Sequence, residues 1–212
     1  MTNTNEKFTK DTFKFHKDKF HQHLKSINEI QDYNIIHSNF LLEFHPYFSE
    51  MNQIGKATIY KKMPKSLKGK FENRFQNENV FFSTQLEENW LNTCFYRIKD
   101  ENNNNIVLHY DGSIEEPELN QIYISIYEDD RISKLLSYHS DKNFMEDNYT
   151  YDSKGQIEQI IRDGYWGTSK NILPTRTFRF DYDDNGELTI FSKQLKANGQ
   201  NEFEQVFPKV KR

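Results

Sequence analysis

The hydrophobic pattern changes period once along the chain. Phe13, Phe20, Leu24 and Ile27, with His16 on the same stripe, recur at the spacing of one helix face. Lys14, Lys17, Asp18 and Lys25 lie elsewhere around that cylinder. The spacing predicts a helix from about Asp11 to Asn28, with Asp11 or Thr12 accepting a bond from an unpaired backbone N–H of the first turn. The next stretch, NIIHSNFLLEFHPYFSEM (34–51), is apolar in both periods. It reads either as a short buried helix stopped by Pro46 or as a strand leading into a loop.

From Ile54 onward the period is that of strands. KATIYKK, NVFFSTQL, LNTCFYRI, NIVLHY, QIYISIY, ISKLLSYH, FMEDNYTYD, QIEQIIRD, RTFRFDYD, ELTIFSKQL and EFEQVF are short runs rich in β-branched and aromatic residues. Between them stand KDENNNN, DGSIEEPELN, EDD, DSKG and DDNG, where Asn, Asp and Gly accept left-handed or locally bonded backbone. Close turns imply antiparallel pairing, because a parallel crossover needs a dozen or more residues. In QIYISIY, Ile122, Ile124 and Ile126 fall on one face and Tyr123, Ser125 and Tyr127 on the other. The expected fold class is α+β: a mainly helical N-terminal segment (1–50) packed on a long, twisted antiparallel β-meander (54–207). With no linker between the parts, 1–212 reads as a single domain.

Two copies of one pattern lie in the meander. Tyr151-Asp152-x-x-Gly155-x-Ile157 and Tyr182-Asp183-x-x-Gly186-x-Leu188 stand 31 residues apart, and Tyr127, Asp129 and Ile132 make a worn third copy without glycine. The chemistry is that of a hairpin. A strand ends on Tyr, Asp bonds to the turn backbone, Gly supplies positive φ, and Ile or Leu re-enters the core. These residues resemble the YD repeats of Rhs and teneurin shells. Two or three copies in 212 residues are too few to enclose a chamber, so the resemblance implies hairpin geometry and not encapsulation.

Composition narrows the chemistry. Eighteen Phe and twelve Tyr make a core of rings. The single cysteine, Cys94, excludes an internal disulfide and a cysteine metal cage, and in its apolar run it reads as a small buried hydrophobe. The polar start and the lack of a long apolar run predict a soluble, cytoplasmic protein with no membrane partner. Charge is uneven: residues 100–190 carry 19 Asp and Glu against 8 Lys and Arg. Such a field attracts basic partners and repels nucleic acid. The basic, aromatic segment 59–75 is therefore read as a solvated connection and not as a nucleic-acid site.

No nucleophile elbow, phosphate-binding loop or dinucleotide fingerprint occurs. DYDDNGELTIFS (181–192) meets the first oxygen positions and the glycine of a calcium loop. It has Ser192 where the bidentate Glu belongs, and its flanks read as strands. His16 and His23 share a helix face, but no metal spacing is present, so neither metal nor cofactor is expected. A small, cysteine-poor cytoplasmic chain with an acidic, YD-like meander resembles the immunity proteins of bacterial polymorphic toxins. That resemblance implies a non-enzymatic inhibitor that occludes the active site of a cognate, basic toxin domain. The expected contact residues are Tyr165 and Trp166, in a glycine-flanked loop, with Asp129, Asp130, Asp181, Asp183, Asp184 and Glu187. The alternative is a carrier of a small molecule or lipid in an aromatic pocket of a curved sheet.

Overall fold

The predicted first helix is two helices. In a computed structural model, which describes residues 4–54, 56–86, 91–112 and 117–209, α1 spans Thr4–His16 and α2 spans Phe20–Glu29. Asp11 and Thr12 lie inside α1, where Asp11 pairs with Lys7 at 2.6 Å and Thr12 Oγ1 donates to the Phe8 carbonyl at 2.9 Å. They are not caps. The break at 17–19 lets each helix seat its own ring: Phe13 meets Tyr138 at 5.3 Å between centroids, and Phe20 meets Tyr110 at 5.0 Å.

The stretch apolar in both periods begins as a strand, β1 (Asn34–Ser38), and ends as one helical turn after Pro46, α3 (Phe48–Met51). KATIYKK forms no strand. Within it only Ile59 makes an isolated bridge, to Ser38. The partner of β1 is instead β2 (Lys70–Gln76), inside the basic segment, where Phe71 and Asn73 are buried on alternate positions. The other predicted runs form β3 (Asn79–Leu86), β4 (Leu91–Lys99), β5 (Asn105–Gly112), β6 (Pro117–Glu128), β7 (Arg131–His139), β8 (Phe144–Tyr151), β9 (Ile157–Trp166), β11 (Arg176–Tyr182), β12 (Leu188–Gln194) and β13 (Glu204–Phe207). A two-residue strand, β10 (Asn171–Ile172), was not expected. Residues 113–116 of the predicted turn DGSIEEPELN lie outside the described residues.

Strand order follows chain order from β1 to β13, except that β10 pairs only with β9 and β11 takes the next place. The α+β expectation is thereby overturned. Among the described residues 49% are in strands and 14% in helices, and the molecule is largely antiparallel β. The reason lies in residues 30–51: their apolar density satisfied a helical reading, but β2 offers β1 a ladder partner, and only one turn of helix remains.

The chain divides into two compact units, and β6 and β7 each contribute to both. The first (1–44, 57–124 and 138–140) covers its sheet on two sides. On one face Tyr96 and Tyr110 meet α2 through His23 and Phe20. On the other, Phe71, Phe95 and Val107 pack with Leu41, Phe44 and Tyr123. Cys94 is fully buried here, and burial pushes its thiol up to about 12, which makes it inert. The second unit (45–56, 125–137 and 141–212) is built on Leu136, Ile160, Phe178 and Ile190, all fully buried, with α3 against β13. Asp147 and Arg162, cross-strand partners in β8 and β9, form a bidentate pair at 2.7 Å within it.

Candidate functional site

The two YD turns share one geometry. Asp152 Oδ1 accepts from the N–H groups of Lys154 and Gln156, each at 2.8 Å, and Gly155 has φ +81°. Asp183 Oδ1 accepts from Asn185 at 2.9 Å and Glu187 at 2.8 Å, and Gly186 has φ +79°. Each is a type I turn followed by a left-handed residue that forms the bulge closing a three-residue hairpin loop. The same bonds recur at Asp100, whose Oδ1 accepts from Asn102 and Asn104 at 2.9 Å, with Asn103 in the left-handed position. Asp100 is thus the third copy in geometry, with Asn replacing Gly. The worn copy at Tyr127 is a different turn, in which Asp129 and Asp130 both take positive φ. The signal for Asp100 was present in KDENNNN, since Asn follows Gly in tolerance of that backbone.

Within the second unit the turns at Asp129–Asp130, Asp152–Gly155 and Asp183–Gly186 stand at the same end of the strands. Arg131 lies over the Tyr151 ring, at 5.4 Å, and Tyr151 Oη donates to the Ile132 carbonyl at 2.7 Å, tying the first two turns. A groove of about 410 Å³ joins the second and third. It is lined by Asp152, Glu158, Asp181, Asp183 and Asp184 against Lys154 and Arg179. Arg179 already binds Asp181 in a fork at 3.0 Å. Asp129, Asp130, Asp181, Asp183, Asp184 and Glu187 are exposed; Asp181, Asp183 and Asp184 share the groove, and Asp129 and Asp130 sit on a separate turn at the same end. Tyr127, 41% exposed two residues before Asp129, adds an aromatic ring beside that turn.

Tyr165 and Trp166 do not join them. They close β9 rather than occupying a loop, about 30 Å along the strand from Ile157 at the usual rise per residue. Tyr165 is buried against Phe144, with ring centroids 5.9 Å apart, which removes it from any contact surface; Trp166 is exposed.

The remaining chemistry is structural. Asp183 Oδ1 serves its own turn, and among the described residues no group of three or more His, Cys, Asp or Glu can hold a metal ion. In the basic segment, Phe71 belongs to the core and Lys61, Lys62, Lys65 and Lys68 are exposed. Thr93, His109 and Asp111 were not singled out in the sequence. Thr93 Oγ1 lies 2.7 Å and Asp111 Oδ1 3.0 Å from the same nitrogen, His109 Nε2. The other ring nitrogen, Nδ1, is buried without a hydrogen-bond partner. Burial works to raise the Asp111 carboxyl, but the bonds with His109, Thr93 and Asn120 outweigh it and hold the pKa below its ordinary value.

His16 Nδ1 lies 3.1 Å from His23 Nε2, linking α1 to α2. Burial, then the neighbouring His23 and Lys19, bring the His16 pKa down to about 4, and burial likewise lowers His23. No helix among the described residues is long and apolar enough to cross a membrane. No protein-family model matches the chain, and no curated protein matches it by sequence.

Proposed function

We propose that this protein is a non-enzymatic binding protein, an immunity-type inhibitor of the bacterial cytoplasm that neutralises a basic toxin domain by covering its active cleft. The observation that carries the reading is the exposure of Asp129, Asp130, Asp181, Asp183, Asp184 and Glu187 on turns at one end of the second unit, with Tyr127 exposed beside the first of those turns. Asp183 is held by its own turn and Asp181 by the Arg179 fork, so these two carboxylates lose little side-chain freedom on docking. Charge steers the encounter, and the exposed ring supplies an anchor.

The test is capture of the partner from host lysate, followed by binding measurements on the purified pair. The reading expects a one-to-one complex with a basic protein that is toxic when expressed alone. Asp129→Lys with Asp184→Lys should weaken that complex about tenfold or more at low salt, mainly through slower association. Trp166→Ala should leave affinity within about twofold, as expected of a residue outside the contact. Normal binding by the folded double variant would overturn the surface, and capture of no toxic partner would overturn the immunity role.

A further inference from the structure

The first unit holds a cavity that the acidic end does not use. It measures about 700 Å³ and lies between the outer face of α1 and the β4–β5 hairpin. That volume is within the range of small-molecule sites. Phe8, Phe15, Ile98 and Ile106 form its apolar wall, with Thr12 and His16 among them. Phe15 is 62% exposed, with Lys19 Nζ over its ring at 3.0 Å and the His16 ring edge-on at 4.9 Å.

Several of the polar groups around it are engaged. Lys7 pairs with Asp11 at 2.6 Å, Lys99 Nζ donates to Asn103 Oδ1 at 2.9 Å, and Asp100 serves its own turn. Thr12 gives its hydroxyl proton to the Phe8 carbonyl. His16 differs from these. Its side chain is buried, its Nδ1 is taken by His23, and Nε2 is the ring atom left for the cavity. We propose that this cavity binds a neutral amphiphile: a fused ring or medium-length chain that ends in a hydroxyl placed on His16 Nε2.

Two arguments select that ligand. The His16–His23 bond forms with the proton on either ring, so Nε2 is a donor in one tautomer and an acceptor in the other; a hydroxyl satisfies both. The imidazole is neutral near pH 7, because burial brings its pKa down to about 4, so it offers no charge to a carboxylate or phosphate. At His16 an anion would be stripped of water among phenyl and isoleucine side chains with no charge on the imidazole to offset the loss.

The probe is 1-naphthol, followed by its fluorescence, with naphthalene and 1-naphthoate as the hydroxyl-free and anionic controls. The parent should bind naphthol saturably at one site. Naphthalene should bind about three- to tenfold more weakly, the effect of one hydrogen bond, and naphthoate more weakly than naphthol by about tenfold or more. Ile98→Trp fills the cavity and should abolish binding of all three; if it fails to fold, Phe15→Ala, at an exposed position, should weaken all three instead. His16→Phe should make naphthol and naphthalene bind alike. Absence of saturable naphthol binding by the parent overturns the proposal, as does naphthoate binding as tightly as naphthol, or unchanged binding in the folded variants. The site shares no residue with the acidic end, so each reading fails or stands by its own experiment.

Discussion

Single residues set the turns that display the acidic groups. Gly186 sits at φ +79° with open space around its missing Cβ, so Gly186→Ala meets backbone strain alone. We expect a loss of about 1–2 kcal/mol. Asn103 occupies the same place in the Asp100 turn, and Asn103→Gly should raise stability by a few tenths to about 1 kcal/mol. Thermal midpoints of the two variants against the parent check both signs. Buried histidines set the acid limit. His16 and His45 each have a pKa brought down from 6.5 to about 4, in both cases chiefly by burial. The unfolded chain therefore binds protons between pH 6.5 and 4 that the folded chain refuses, and stability falls as pH falls through that window. The deeply buried His45 contributes on the order of 3 kcal/mol across it, and the more solvated His16 contributes less. Urea midpoints of the parent should drop steeply from pH 7 to 4.5, and His45→Phe should flatten the slope. An unchanged slope would refute the assignment. These residue effects were partly legible: YD-x-x-G named its own turn, whereas nothing in the spacing of His45 revealed its burial.

At the scale of elements, the β8–β9 ladder carries the most consequential polar contact. Asp147 and Arg162 face each other in register, and the Asp147 side chain is 3% exposed. Removing one partner strands a buried charge, so Asp147→Asn should cost about 3–5 kcal/mol. Replacing both with apolar residues of similar size should recover most of that loss. By contrast, Glu29→Gln, at an exposed pair with Lys25 spanning 3.8 Å, should not change the denaturant midpoint measurably. Most strands were legible to within a residue or two, because alternation and turn chemistry agree in β3, β5, β7 and β12. β2 was not: the lysine-rich stretch that leads into it resembles a solvated loop, and only pairing with β1 and β3 makes Phe71 and Asn73 a buried face.

For the whole molecule, strand direction decides which loops share an end. β9 and β11 run antiparallel, with Arg179 opposite Gln159, so the turn after β11 returns to the turn before β9. This alternation gathers the acidic turns in one place and sends Trp166 to the other. Salt is the discriminating variable for the complex. If steering by these carboxylates governs the encounter, the association rate should fall steeply as ionic strength rises, while the dissociation rate changes little. Stopped-flow association across a salt series tests this, and a flat rate would place the contact elsewhere.

The sequence alone determined the strand period, the hairpin chemistry and the acidic bias, because alternation, turn preference and charge are local properties of neighbouring residues. Tertiary structure decided what locality cannot encode. It split the first helix, drew β2 out of a lysine-rich stretch, buried Tyr165 and left Trp166 bare, and set His16 between a second histidine and an apolar cavity. The buried positions among these depend mostly on partners far along the chain, and burial follows from the partner rather than from the residue.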